Sequence, residues 1–322
     1  MPFPVLKLLS PDEFRSGEAI SSDLGISRAS VHNRVEQARG LGVAIQAVRG
    51  KGYRLAERYS WLEPECLTAA LAHSGYHVLV HEQVDSTNSL LLNLAQQGQP
   101  HKSILAAEWQ AQGRGRRGRT WLAPLGSGLT FSLLWRFQRP LTALSGLSLA
   151  VGLALARGFR TLGIEAVELK WPNDVLLHGG KLAGILIETH GDMLSAATAV
   201  IGIGVNVRSA MAATDAMDFQ PVAMEDALGD RLDRNEVLVR LLTQLDTVLK
   251  AFDQSGFAPF VDEWQRLHVW QNRPVRVISG GQRIMEGVAL GVDAAGLLRL
   301  NTADGIRLVH SGEVSLRSGG AS

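Results

Sequence analysis

Four arginines fall within six residues in the run Gln110-Ala111-Gln112-Gly113-Arg114-Gly115-Arg116-Arg117-Gly118-Arg119-Thr120-Trp121. Interleaved glycines make this stretch too flexible and too self-repelling to be well ordered when empty, so any fold has to carry it as a loop. Glycine lets backbone N–H groups approach an anion, and guanidinium forks suit phosphate or carboxylate oxygens. The Gly-Lys-Ser/Thr ending of a P-loop is missing. On spacing alone the loop fits a nucleotide site, an RNA- or DNA-binding patch, or a solvated surface equally.

The rest of the chain is globular. Its 322 residues are 46% hydrophobic and 20% charged, which excludes a disordered or collagen-like chain and leaves room for two or three domains. Lys plus Arg number 32 against 31 Asp plus Glu, so affinity for nucleic acid has to come from a local patch. A single cysteine, Cys66, rules out a disulfide framework and a cysteine-based zinc site and suits a reducing cytosol. No metal-ligating cluster is expected. The start lacks the order of a signal peptide, and the longest apolar stretch, near Leu141 to Leu155, is broken by Thr142, Ser145 and Ser148. A cytoplasmic protein without a membrane span is expected.

Patterning divides the chain into blocks 1–61, 62–271 and 272–322. In the first, seven Arg or Lys and two Glu between Arg28 and Arg58 leave a basic surplus. Gly17 to Leu24 reads as a short helix, Gly25-Ile26-Ser27 as a turn, and Ser27 as the N-cap of a second helix. Val31, Val35 and Ala38 of that helix should face inward, leaving Arg28, Ser30, His32, Asn33 and Arg34 for the major groove of DNA. The run Val43–Val48 followed by Arg49-Gly50-Lys51-Gly52-Tyr53-Arg54 reads as a wing with Lys51 at its basic tip. A small helical cap with solvated arginines is the plain alternative.

In the middle block, Lys170-Trp171-Pro172-Asn173-Asp174 leads into a hairpin that turns at Gly179-Gly180 and places Lys181 on the return strand. Lys181 is either a held functional group or a solvated lysine. Ser86 before Thr87-Asn88 reads as a helix cap, and Ile201-Gly202-Ile203-Gly204-Val205-Asn206-Val207 as a strand with either a bulge or a close ligand approach. The last block has short alternating runs split by Gly280-Gly281, Asp293-Ala294-Ala295-Gly296 and Asp304-Gly305, the punctuation of a small antiparallel barrel.

Together these segments resemble the biotin–protein ligases, specifically the bifunctional kind that also represses the biotin operon. The likeness spans Ser21–Arg28, Gly50–Tyr53, Asp85–Asn88, Gly113–Trp121, Lys170–Asp174, Lys181–Gly184, Gly202–Asn206 and Gly312–Arg317. It implies an α+β multidomain chain: a winged helix-turn-helix over 1–61, a mixed α/β ligase domain over 62–271 and an SH3-like barrel over 272–322. It also implies that biotin and ATP, with Mg²⁺, give biotinyl-5′-AMP, and that biotin then passes to a lysine of a carboxylase carrier domain.

By that resemblance Ser86, Thr87, Asn88 and Gln110 hold the ring end of biotin. Arg114, Gly115 and Arg116 follow its acyl chain, Lys181 and Arg116 serve the reacting phosphate, and Gly204 and Asn206 form the floor. Arg117, Arg119, Trp121 and Asn173 contact the adenylate, Phe219 is the candidate neighbour of adenine, and Asp174 buttresses the hairpin. Operator DNA of biotin-synthesis genes, acetyl-CoA carboxylase's carrier domain and an adenylate-driven homodimer are the implied partners. The alternative is a ligase with a non-regulatory DNA-binding block. A non-catalytic ligand sensor is opposed by Lys181 and the loop, and a lipoate-activating relative by the complete loop with Trp121.

Overall fold

The computed structural model describes residues 1–191, 196–208, 219–229, 232–279, 281–312 and 314–319. Gly280 and Glu313, which belong to segments read above, and Met217 and Asp218, which precede Phe219, lie outside the described residues.

The N-terminal block contains α1 (Phe3–Leu6), α2 (Gly17–Leu24), α3 (Arg28–Gly40) and a hairpin of β1 (Ile45–Val48) and β2 (Gly52–Leu55). The caps explain its boundaries. Ser16 accepts from the Ala19 N–H to start α2, Gly25 ends it at φ 62°, and Ser27 accepts from the Ser30 N–H to start α3. Val31, Val35 and Ala38 are fully buried, together with Ile20 and Phe3. The expected helix-turn-helix with a wing is present.

Next come α4 (Pro64–Ala70), β3 (His77–Val84), α5 (Thr87–Gln96), β4 (Ser103–Gln110), β5 (Gly128–Pro140) and α6 (Leu147–Thr161). They are followed by β6 (Val167–Lys170), β7 (Asp174–Leu177), β8 (Gly180–His190), β9 (Ala196–Asn206), α7 (Glu225–Leu228), α8 (Arg234–Ser255) and α9 (Val261–Leu267). The seven strands form one mixed sheet in the order β3-β4-β5-β9-β8-β7-β6, in which only β3 and β4 run parallel. Strand β5 alternates its side chains between two cores. Phe131 and Leu133 meet α6 and α8, while Leu134 joins Leu91 of α5 on the other face. The apolar stretch noted in the sequence, Leu141 to Leu155, passes through a 3₁₀ turn at Leu141–Leu144 into helix α6. This is a core helix, and among the described residues no helix is long and apolar enough to cross a membrane.

The last block is an antiparallel sheet of β10 (Pro274–Ser279), β11 (Gln282–Val292), β12 (Leu298–Thr302), β13 (Gly305–Val309) and β14 (Val314–Ser318), ordered β13-β12-β11-β10-β14. Its buried face, including Val277, Leu300 and Leu316, continues the core of the central block. The Trp171 indole N–H donates to Gly296 O at 3.2 Å and the Ser145 hydroxyl to Ala295 O at 2.6 Å, so polar contacts also seal this seam.

A second seam joins the N-terminal block to the central one. Leu125, a few residues past the arginine loop, is 1% exposed within the N-terminal core, and its N–H donates to Leu41 O. Arg208, at the end of β9, reaches Glu57 at 3.0 Å, Glu225 at 3.3 Å and the Arg58 carbonyl. Below them Arg234 of α8, 1% exposed at its side chain, pairs with buried Glu108 and also donates to the carbonyls of Ser60 and Gly128.

Candidate active site

The site forms where the start of α5, the end of β4, the arginine loop, the turn between β6 and β7, and the glycine faces of β8 and β9 converge. Ser86, Thr87, Asn88, Gln110, Arg114, Gly115, Arg116, Arg117, Arg119, Trp121, Asn173, Lys181 and Gly204 all border this one cleft. Asn206 does not. Its side-chain N–H donates to Lys181 O at 2.9 Å, so it holds the lysine's backbone instead of forming the floor.

Three cationic groups and one carboxylate define the inner electrostatics. Lys181 Nζ lies 2.7 Å from Asp174 Oδ1, and Lys170 Nζ lies 3.3 Å from Oδ2 of the same carboxylate. Burial alone would raise the Asp174 pKa; Lys181 and Lys170 together outweigh it and hold the carboxyl below its ordinary range. Burial lowers the Lys170 pKa, and Asp174 partly offsets that. Two lysines sharing one carboxylate leave a positive surplus in the cleft. Asp174, expected as a buttress of the hairpin, ties Lys170 before the turn to Lys181 on the return strand, and it also borders the cleft.

Protein acceptors stand where the sequence reading put an external anion, and the loop accordingly has a folded course. Its base closes through Trp121 N–H to Gly113 O at 2.9 Å and Gly115 N–H to Arg119 O at 2.7 Å, with a 3₁₀ turn over Arg116–Gly118. Arg116 donates to Asn173 Oδ1 at 3.0 Å and to the carbonyls of Ser311 and Gly312. Burial lowers its pKa, against the pull of Asp174, and a guanidinium remains charged at neutral pH all the same. Arg114 points elsewhere: its guanidinium donates to Ser89 Oγ at 2.9 Å and to Glu188 at 2.7 Å. Arg117 and Arg119 are exposed at the rim.

Gly202 and Gly204 mark close approaches. No register break falls between Thr198 and Asn206, so the bulge is absent. A Cβ on Gly204 would sit 2.3 Å from the Trp121 ring, and one on Gly202 would sit 2.3 Å from Asn88 Oδ1. The groups that come close are thus side chains of the chain itself. Trp121 covers the floor, with Lys181 Nζ 5.7 Å from its ring centre.

At the other end, Gln110 Oε1 accepts from the Thr87 N–H at 2.8 Å and lies 3.1 Å from Thr87 Oγ1. Ser86 caps α5 as expected. Asn88 donates to Leu186 O and Glu188, and its Oδ1 accepts from Ser132 at 2.6 Å, so its amide is committed to the protein. Phe219 lies behind the cleft, its ring 4.2 Å from Lys170 Nζ and 5.9 Å from Trp270. Sequence reasoning missed Lys170 as an inner cation, and also Ser315 and Arg317, which bring the last block into the cleft. The Lys170–Asp174 motif contained the first of these; the Gly312–Arg317 likeness pointed at the others without a role.

In the N-terminal block Arg28, His32, Asn33 and Lys51 are exposed, and Arg34 is half-buried. Ser30 lies 3.0 Å from the Ser27 hydroxyl and forms part of the α3 cap.

Residues 80–206 match the Biotin/lipoate A/B protein ligase family, 272–317 the Biotin protein ligase C terminal domain, and 4–54 an HTH domain. The bifunctional ligase/repressor BirA of Escherichia coli (strain K12) is 37% identical over 318 residues, covering 99% of this chain and 98% of that protein. The bifunctional ligase/repressor BirA of Bacillus subtilis (strain 168) is 31% identical, over 95% of this chain and 94% of its own. Among solved structures, the biotin protein ligase of Aquifex aeolicus in complex with biotin and ATP superposes with a TM-score of 0.64 at 29% identity. That likeness covers 76% of this chain and 99% of the other.

Proposed function

The chain belongs to the family of bifunctional biotin–protein ligases and repressors, and from that premise we propose how its cleft carries out the reaction. It is a biotin–[acetyl-CoA-carboxylase] ligase with a DNA-binding repressor block. A carboxylate oxygen of biotin attacks the α-phosphorus of ATP, a C–O–P link forms, the α–β phosphoanhydride breaks and pyrophosphate leaves. The ε-amine of a carrier lysine then attacks the acyl carbon, an amide forms and AMP departs. The carboxylate is already ionised at neutral pH, so the first step needs no base.

The observation that carries this reading is the convergence of Lys181, Lys170 and Arg116 on one cleft around a single carboxylate. Two anions have to meet there, and fixed positive charge lowers the barrier most where negative charge builds up. Lys181, pinned by backbone bonds to Gln220 and Val222 as well as by Asn206, is aimed at the carboxylate and α-phosphate. Arg116, braced by Asn173, serves the phosphate from the loop. Thr87 and Gln110, with Ser86, hold the ring end of biotin; Gly204 and Trp121 bound its acyl chain, along which Gly115 and the Arg114 backbone run. Asn88 shapes that wall from behind. Arg117 and Arg119 face the adenylate from the rim.

Among the described residues no group of three His, Cys, Asp or Glu side chains could hold a metal, and the cleft's Asp174 is paired with lysines. We read Mg²⁺ as part of the MgATP substrate. The protein is cytoplasmic, acts on a carboxylase carrier domain, and dimerises on operator DNA of biotin-synthesis genes when the adenylate is bound.

Biotin-dependent exchange of pyrophosphate into ATP tests the ligase reading: exchange with biotin and none with lipoate is expected, and the reverse contradicts it. Operator mobility shifts that strengthen with biotin plus ATP support the corepressor role. An equal shift without them leaves a ligase whose DNA binding is non-regulatory.

A further inference from the structure

Glu188, on β8, lies outside the cleft yet touches both of its walls. Oε1 accepts from Arg114 Nη2 at 2.7 Å, and Oε2 accepts from Asn88 Nδ2 at 2.9 Å. The other arm of the same guanidinium donates to Ser89, the residue after Asn88 on α5. One carboxylate thus joins three segments far apart in sequence: the start of α5, the arginine loop and β8. Nothing in the loop's own sequence identifies this partner.

The surroundings make the link a directed one. Asn88 is 3% exposed and rests on Gly202, where a Cβ would collide with its Oδ1, so its amide is held toward Glu188. The loop is closed at its base by main-chain bonds from Gly113 to Trp121 and from Gly115 to Arg119. A side-chain anchor at Arg114 therefore sets the tilt of the whole closed loop over the cleft. The anchor is also accessible, with side-chain exposures of 46% for Arg114 and 24% for Glu188. A pair of that kind is weak enough to open and is sensitive to salt. Arg116 and Lys181 face the reacting phosphate, whereas the charge of Arg114 is matched by protein.

We infer that Glu188 is a positioning residue, the catch of a latch that holds the arginine loop closed through Arg114 and ties closure to the seating of Asn88. The inference rests on the reading of the cleft as an adenylate site. The latch governs how long the adenylate is retained more than how fast it forms. It also leaves Arg114 as a fastening group rather than a phosphate ligand.

The test uses full-length protein loaded with labelled biotin, MgATP and pyrophosphatase, with release of the labelled adenylate followed after dilution. Glu188→Ala is expected to release it roughly 5- to 20-fold faster, the scale of a partly exposed hydrogen bond to a charged group. Pyrophosphate exchange at saturating substrates should change by less than about 3-fold, a split that general destabilisation does not produce. Arg114→Ala/Glu188→Ala should exceed Glu188→Ala by no more than about 2-fold, because the Arg114–Glu188 pair is already lost in the single change and only the Arg114–Ser89 bond remains to be removed. Raising salt should speed release from the wild type by a larger factor than from Glu188→Ala, which has already lost the exposed ion pair.

Unchanged release in Glu188→Ala, or effects of the two single changes that multiply, would overturn the latch. Should Glu188→Ala fail to fold, Glu188→Gln decides, with faster release expected and wild-type release fatal to the idea. If the wild type forms no adenylate, the reading of the cleft fails, and trypsin digestion of the free protein still judges the latch. Cleavage within 114–119 is expected to be faster in Glu188→Ala, and equal cleavage contradicts it.

Discussion

The smallest unit that explains the chemistry is one buried carboxylate between two ammonium groups. Asp174 keeps Lys181 and Lys170 together in a place where two lysines alone would repel, and still leaves net positive charge for a phosphate. Lys181→Ala is expected to lower adenylate formation about 10²-fold at saturating biotin and ATP, the usual cost of losing one preorganised electrostatic partner. Normal turnover would remove Lys181 from its role. A second residue-scale prediction concerns His268, which is 5% exposed, stacks on Trp264 at 4.7 Å and has its pKa lowered by burial to about 4. The unfolded chain binds a proton near pH 6.5 that the folded chain refuses, so stability is full above that pH and falls as pH drops toward 4. The loss is about 3 kcal/mol. Urea unfolding of His268→Gln should show a flatter profile over that window, and parallel profiles would contradict it.

Single residues also show where sequence reasoning stopped. Lys181 and Arg116 were legible because rare local motifs contain them. The sharing of Asp174 by two lysines, the Arg114–Glu188 pair and the entry of Arg317 into the cleft were not, since each depends on strand register or on packing between blocks. Asn206 shares the face of the floor glycines, but it stands at the end of β9, where its amide donates to the Lys181 carbonyl instead of bordering the cleft.

At the scale of elements, β9 shows why two glycines belong in a central strand. The hairpin, the caps at Ser27 and Ser86, and the inward face of α3 were readable from periodicity and turn chemistry, which act within a few residues. Whether Gly202 and Gly204 meant a bulge was not, because the deciding atoms belong to Asn88 and Trp121. Gly204→Ala forces the Trp121 ring to move, and overpacking of this kind costs about 1–3 kcal/mol. The expected outcome is a rise of roughly 10- to 100-fold in the KM for biotin, with the fold retained by circular dichroism. An unchanged KM would mean that the ring does not bound the substrate.

Across the whole molecule, the segment that follows the arginine loop is fastened into the DNA-binding block. Leu125 fills the N-terminal core, and Arg208 ties the end of β9 to Glu57 and Arg58 of the linker. Leu125→Ala should weaken this docking by about 2–5 kcal/mol, seen as faster proteolysis of the linker near 56–60 with α3 still folded. Unaltered proteolysis would show that the seam carries little. The winged block supplies the local basic surplus in a chain of net charge +1, so operator binding should fall steeply with salt. The three-block layout was legible from charge and patterning; the continuous core beneath the last two blocks was not, because composition does not reveal which faces meet.

The central claim is that paired lysines and a folded arginine loop let this cleft join a carboxylate to a nucleotide. It is tested most directly by incubating purified protein with biotin and α-labelled MgATP and separating the products. The account predicts equimolar pyrophosphate and protein-retained biotinyl-5′-AMP, about 10²-fold less of both with Lys181→Ala in the same interval, and transfer of biotin to a carrier lysine on addition of the acceptor. Retained adenylate at wild-type rates in Lys181→Ala, or none from the unmodified protein, would contradict it.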